Sequence, residues 1–229
     1  MSNYTLYIAN KNYSSWSLRP WILLTELGIP FKEVFTSFDI SNHDTFKTFA
    51  PNAKVPCLHD DELIIWDSLA IIEYIAEHHP SVWPENKQAR AWARSASAEM
   101  HSGFSALRNH CSMNCGLRLK LHSMPESLLA DLQRIDELWC DGLTQFAGPY
   151  LAGKQFSAVD AFFAPVVFRI QTYNLALSDE CLAYSQRILA MKGMQQWYQS
   201  ALNEPWREVS HEQDVIKHAS LLEDWRVEI

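Results

Sequence analysis

The chain has only seven glycines in 229 residues, and none of them cluster. It therefore offers neither the G-x-G-x-x-G turn of a dinucleotide site nor the loop of a P-loop. Its nine histidines include no H-E-x-x-H, and the adjacent His78 and His79 point to different sides of any helix, so no metal is expected. The five cysteines, Cys57, Cys111, Cys115, Cys140 and Cys181, are odd in number and scattered. A chain of this length does not need covalent staples, and they read as reduced thiols. Cys111 and Cys115 are spaced i, i+4 and read as two small core-facing or groove-facing residues rather than a metal or redox pair. Positive charge is also scarce: 19 Lys and Arg stand against 27 Asp and Glu, a net charge of −8, and the first 80 residues hold 5 against 10. That balance excludes nucleic acid as the expected partner. The longest apolar stretch, 158–170, is broken by Asp160, Pro165 and Arg169, too many interruptions for a membrane span. The first fifteen residues lack a basic region, an apolar run and a small-residue cleavage site, so a cytoplasmic location is expected.

What is present is core material: 48% hydrophobic and 12% aromatic residues against 20% charged. The pattern changes character once. Up to residue 80, short strand-like and helix-like segments alternate: strands at 4–9 and 32–38, a helix at 15–27 stopped by Gly28 and Pro30, and an irregular or short helical stretch to Phe49. A hairpin around Asp60-Asp61-Glu62 and a helix from Asp67 to His78 follow. Pro80 and Pro84 then bracket a break. Beyond it the periodicity is helical. One stripe from Ala89 through Ala93, Ala96, Met100, Phe104 and Leu107 to Cys111 predicts a single long helix, and a second runs from Leu128 to Phe146. A third begins at Ser157 with a capping box, Pro165 is expected to kink it, and helices near 178–190 and 193–202 complete an all-helical half. The reading is an α/β domain at 1–80, a linker at 81–87 and an all-α domain at 88–229.

Three segments carry chemistry. Asn12-Tyr13-Ser14-Ser15-Trp16-Ser17-Leu18-Arg19-Pro20 lies between the first strand and the first helix. Hydroxyls there cap the helix, or hold a thiolate at its positive end with a lowered pKa. Lys54-Val55-Pro56-Cys57 opens a strand with a proline, which suits a central ladder only if its bond is special, such as cis, turning the backbone groups of Val55 outward toward an extended peptide. Asp67-Ser68 opens a helix with a carboxylate for an ammonium group and donors for a carboxylate, or with an ordinary cap.

In this order, together with Leu151-Ala-Gly-x-x-Phe156-Ser157-x-x-Asp160, these features resemble the glutathione transferase family over nearly the whole chain. The resemblance implies a thioredoxin-like N-terminal domain, a helical C-terminal domain, glutathione as co-substrate without a metal, and a homodimer acting in detoxification. The loop is most similar to the serine-type branch near the zeta class and its bacterial relatives, whose motif is S-S-C-S-W-R-V-R. Aligned on Arg19, Ser14 stands at that motif's cysteine and Asn12 and Tyr13 at its two leading serines, so the alignment does not assign the thiolate-stabilising hydroxyl; Ser14 is the first choice, then Ser15 and Tyr13, with Asn12 as an amide donor. No cysteine precedes Lys54, which removes mixed-disulfide chemistry at that loop. Lys54, Val55, Pro56, Asp67 and Ser68 would bind glutathione. Met100, Phe104, Leu107, Arg108 and Cys111 would line the second-substrate pocket or pack the core. The alternatives are a glutathione-dependent isomerase of the maleylacetoacetate type, with Arg108 or Arg118 holding carboxylates, and a non-catalytic partner protein on the same fold. The Ala91 to Ala98 stretch of small residues suits a close subunit contact.

Overall fold

The computed structural model describes residues 3–38 and 43–228. Positions 39–42, part of the stretch read as irregular, lie outside the described residues. Four strands, β1 (Tyr4–Ile8), β2 (Lys32–Phe35), β3 (Cys57–Asp60) and β4 (Leu63–Trp66), form one sheet in the order β2-β1-β3-β4. β1 runs parallel to β2 and antiparallel to β3. A parallel pair needs a crossover, which α1 (Ser15–Glu26) supplies. Side chains of β1 alternate between two layers. Leu6 and Ile8 join the main core with Ile22 of α1 and Ile72 of α3 (Ser68–His78). Tyr7 points the other way and stacks on Phe49 of α2 (His43–Phe49), ring centroids 4.4 Å apart, in a small second core.

After a 3-10 turn at Pro80–Val82 the chain becomes helical: α4 (Lys87–Ser102), α5 (Ser105–His110), α6 (Glu126–Phe146), α7 (Ala158–Tyr173), α8 (Asp179–Leu189), α9 (Lys192–Leu202) and α10 (Val209–His218). The single helix predicted through Cys111 is in fact two. Gly103 ends α4, where any side chain would meet Glu99 O at 2.8 Å, and Phe104 takes the left-handed conformation, φ 58° and ψ 43°. The apolar stripe runs on across the break because both pieces pack on one core. Cys111 caps α5 and Cys115 lies in the following loop, so the two do not share a helical face. Both are buried.

α7 is the hub, buried along almost its whole length against α1 and α4. Its capping box is present, with the Ser157 N–H bonded to Asp160 Oδ2 at 3.0 Å, and the helix runs through Pro165 as one element. Sequence periodicity missed one pairing. β5 (Leu117–Leu121) and β6 (Ala219–Asp224) form an antiparallel ladder that ties the C-terminal tail to the helices. Leu117, Leu119 and Leu121 alternate with Arg118 and Lys120, a period of two that marks a strand. No helix among the described residues is long and apolar enough to cross a membrane.

Candidate active site

The loop leading into α1 is held from the far end of the chain. The Glu204 carboxylate accepts the Lys11 N–H at 2.6 Å and the Asn12 N–H at 3.4 Å, and Trp197 donates its indole N–H to Lys11 O at 2.9 Å. Asn12 donates to Ala201 O at 2.5 Å and accepts from the Gly116 N–H at 3.3 Å. Its amide is therefore committed to the fold, which removes it as a ligand donor. Tyr13 donates to Glu212 Oε1 at 2.6 Å on α10, and burial, then that carboxylate, raise its pKa far above the ordinary phenol value. The ring locks α10 onto the loop and its proton stays in place. Ser14 is the N-cap of α1: its hydroxyl donates to Ser17 Oγ at 2.7 Å and accepts from the Ser17 N–H at 3.4 Å.

Ser14 and Ser15 open onto a cleft of about 610 Å³, whose walls include Trp16, Lys54, Val55 and Arg108. Val55–Pro56 is cis, and the β3 ladder starts only at Cys57, so the Val55 backbone stands at the cleft outside the sheet pairing. A larger groove of about 1160 Å³ beside the linker carries none of the predicted site residues.

Three guanidinium groups face one another here. Arg108 and Arg169 line the cleft, and Arg19 lies fully buried behind Trp16, its centre 4.1 Å from the indole and none of its nitrogens hydrogen-bonded among the described residues. Arg108 sits over the same ring at 4.8 Å. Burial lowers the Arg19 pKa well below the usual guanidinium value, and repulsion from Arg108 and Arg169 adds to it while Asp67 opposes. Burial, then Arg108, bring Arg169 down to about 10. Arg108 is tied to the Met100 and Gly103 carbonyls, and Arg169 to Cys111 O at 2.8 Å. These contacts fix the two cations without neutralising them, and an anion is favoured beside them, while Glu208 and Asp214 also line the cleft.

Asp67 caps α3 through the Leu69 N–H at 2.8 Å, in a left-handed conformation of φ 75° that is strained for an aspartate. Its other oxygen is 3.5 Å from His101 Nε2, and His101 in turn meets the edge of Trp16, so the α3 end adjoins the cleft across one indole. Ser68 is buried, and its hydroxyl has no partner among the described residues. Of the five residues expected around the second substrate, only Arg108 lines this cleft. Met100, Phe104, Leu107 and Cys111 are buried in the main core, where the stripe that suggested a pocket wall packs the helices instead. Sequence reasoning also missed Arg169 on α7 and His211 on α10. The Arg169 signal was a cation inside an apolar stretch, read only as an argument against a membrane span. His211 stacks on Tyr13 at 4.9 Å, and its Nδ1 lies 2.6 Å from Glu208 Oε2.

A thioredoxin-like sheet, a helical second half and a cleft at the N-terminus of α1 define the class: a thioredoxin-like domain joined to a helical one. Residues 13–78 match the model of the glutathione S-transferase N-terminal domain. The chain is 30% identical over 187 residues to a probable maleylacetoacetate isomerase of Caenorhabditis elegans, covering 76% of this chain and 81% of that one. It is 29% identical over 216 residues to glutathione S-transferase GstB of Escherichia coli, covering 85% and 92%. Among solved structures it superimposes on a glutathione transferase homolog from Burkholderia with bound glutathione, with a TM-score of 0.65, 20% identity, and 87% and 98% of the two chains covered. The chain belongs to the glutathione S-transferase family.

Proposed function

We propose that this glutathione S-transferase activates the thiol of glutathione with the Ser14 hydroxyl and delivers the thiolate to a small electrophile. The single observation that carries the reading is the Ser14 hydroxyl at the positive end of α1 on the wall of the cleft. The hydroxyl proton now directed at Ser17 Oγ turns to the sulfur, and with the helix dipole it favours the charged form. The thiol proton leaves to solvent, and the sulfur forms its bond to carbon as the leaving group departs with the electron pair. Val55 pairs with the peptide backbone of glutathione, Lys54 and Pro56 frame that contact, and Asp67 and Ser68 take the ammonium and carboxylate of its γ-glutamyl end. The unpartnered Ser68 hydroxyl fits such a carboxylate. Ser15 and Tyr13 are the other hydroxyls of the loop. The committed proton of Tyr13 argues against it. The test is retention on immobilised glutathione followed by turnover of a chlorodinitrobenzene-type electrophile; a protein that does neither refutes the reading and leaves the non-catalytic partner.

Arg108 and Arg169 favour a second reading, an isomerase that adds the thiol to a carboxylate-bearing cis-diketo acid, lets a bond rotate and expels the thiol again. Arg118 is turned to Tyr198 and nearby carbonyls, away from that role. Cis-to-trans conversion that requires catalytic glutathione and consumes none identifies this reading. The protein works in the cytoplasm as a homodimer. Leu63, Ile64 and Trp66 leave an apolar outer strand exposed, and Ala91, Ser95 and Ala98 leave a smooth face on α4. Light scattering in micromolar solution is expected to give twice the 26.4 kDa chain mass, and a monomer refutes this.

A further inference from the structure

Helices α6 and α8 bring together a group that the cleft does not use. Asp136 and Cys140 are i, i+4 on α6, and Ser178 and Cys181 are i, i+3 at the start of α8. Such spacings put both side chains of each pair on one face. A carboxylate oxygen of Asp136 and the sulfurs of Cys140 and Cys181 all lie within 4.8 Å of one another, with the sulfurs 3.5 Å apart. Ser178 Oγ is 3.4 Å from the Cys140 sulfur and donates to Asp136 Oδ1 at 2.8 Å. Cys181 is buried, whereas Asp136 and Cys140 are partly exposed, which leaves a way in from solvent. Two sulfurs bound to one Zn²⁺ at about 2.3 Å and tetrahedral angles stand about 3.8 Å apart. A disulfide needs them at about 2.05 Å. The observed separation lies close to the first spacing and far from the second. We infer that Asp136, Cys140 and Cys181 form a binding site for a thiophilic divalent cation such as Zn²⁺, with Ser178 orienting the carboxylate and a water or the Ser178 hydroxyl completing four ligands. The cation displaces the two thiol protons to solvent, so no electron transfer is involved. It would clamp α6 to α8, well apart in sequence from the catalytic loop.

The test uses the untagged full chain, freed of metal with a chelator and kept without glutathione, which would itself compete for the ion. One equivalent of Co²⁺ is expected to give the thiolate-to-cobalt charge-transfer band and the visible bands of tetrahedral Co²⁺, and one equivalent of Zn²⁺ to bleach them. Cys140→Ser and Cys181→Ser should each abolish the charge-transfer intensity of the site. Ser178→Ala, which removes the orienting partner of Asp136 and leaves the fourth position to water, should weaken Zn²⁺ binding by about 10-fold or more. Because Cys181 is buried and its replacement can disturb packing, the partly exposed Cys140→Ser, checked for native circular dichroism and conjugation rate, is the deciding variant. No band at one equivalent, a band that persists in Cys140→Ser, or ready formation of a Cys140–Cys181 disulfide with glutathione disulfide and no cobalt spectrum would each overturn the inference.

Discussion

The N-termini of α1 and α3, the two ends that the proposed function uses, are built differently. At α1 the Ser14 hydroxyl is already paired with Ser17, on a loop fastened by Glu204 and Trp197 from the opposite end of the chain. At α3 the Ser68 hydroxyl is buried and unpaired, behind an Asp67 held at φ 75°. A buried hydroxyl without a partner carries a desolvation penalty, so a hydrogen bond supplied by a ligand has a large net effect there. At Ser14 a ligand only replaces one partner by another. On the proposed function, the difference puts binding at the α3 end and activation of the bound thiol at the α1 end.

The largest effect expected from breaking this contrast is at Ser14. Ser14→Ala should lower kcat for conjugation about 100-fold, the scale seen when one preorganised donor to developing charge is removed. The Michaelis constant for glutathione should change little. Loss of the cap should also lower stability by about 1 kcal/mol. Steady-state kinetics and thermal melting check both. A Ser14→Ala enzyme of unchanged rate beside a crippled Ser15→Ala would move the role one residue along the loop.

Substitution at the α3 end is expected to act next most strongly and in the opposite sense. Ser68→Ala and Asp67→Ala should raise the Michaelis constant for glutathione about tenfold or more, since contacts to charged groups contribute roughly 1.5–3 kcal/mol each, while kcat falls less. Melting separates the two residues. Asp67→Ala loses a real cap and should melt lower, whereas Ser68→Ala removes a hydroxyl that bonds to nothing and should melt no lower than wild type. A destabilised Ser68→Ala with unchanged affinity would reduce that residue to part of the scaffold.

The smallest effect concerns the first turn of α10, the helix whose Glu212 accepts the Tyr13 hydroxyl. Burial raises the Glu208 carboxyl, but bonds from the His211 N–H, Ser210 and the His211 ring outweigh it and hold its pKa at about 2, below the ordinary 4.5. A depressed carboxyl contributes stability above its unfolded pKa and loses it as pH falls toward the folded one. The capped first turn of α10 should therefore loosen between about pH 4.5 and 2. Glu208→Gln should flatten that part of an acid titration followed by tryptophan fluorescence; an unchanged profile would show that Glu208 does not carry it.

The contrast between the two helix ends was only half legible in the sequence. Both motifs could be found because capping residues, a proline at a strand start and a period-two to period-3.6 switch are local signals. Which hydroxyl was spent could not be read, because Ser14, Ser15 and Ser17 offer competing local caps and the Glu204 and Trp197 bonds that fix the loop are tertiary. The same limit explains the second-substrate residues. Met100, Leu107 and Cys111 lie on an apolar stripe whose periodicity is the same for a core face and a pocket wall, and the structure turns them into the core. Arg169 reaches the cleft from α7 only through the packing of α1, α4 and α7.

Titration of the bound thiol tests the central claim most directly. Glutathione held at saturation is followed by the ultraviolet absorbance of its thiolate as pH is raised, in wild type and in Ser14→Ala. The account predicts an apparent thiol pKa below that of free glutathione in the wild-type complex, and a return toward the free value in Ser14→Ala with saturation still reached. An identical pKa in the two proteins would contradict it.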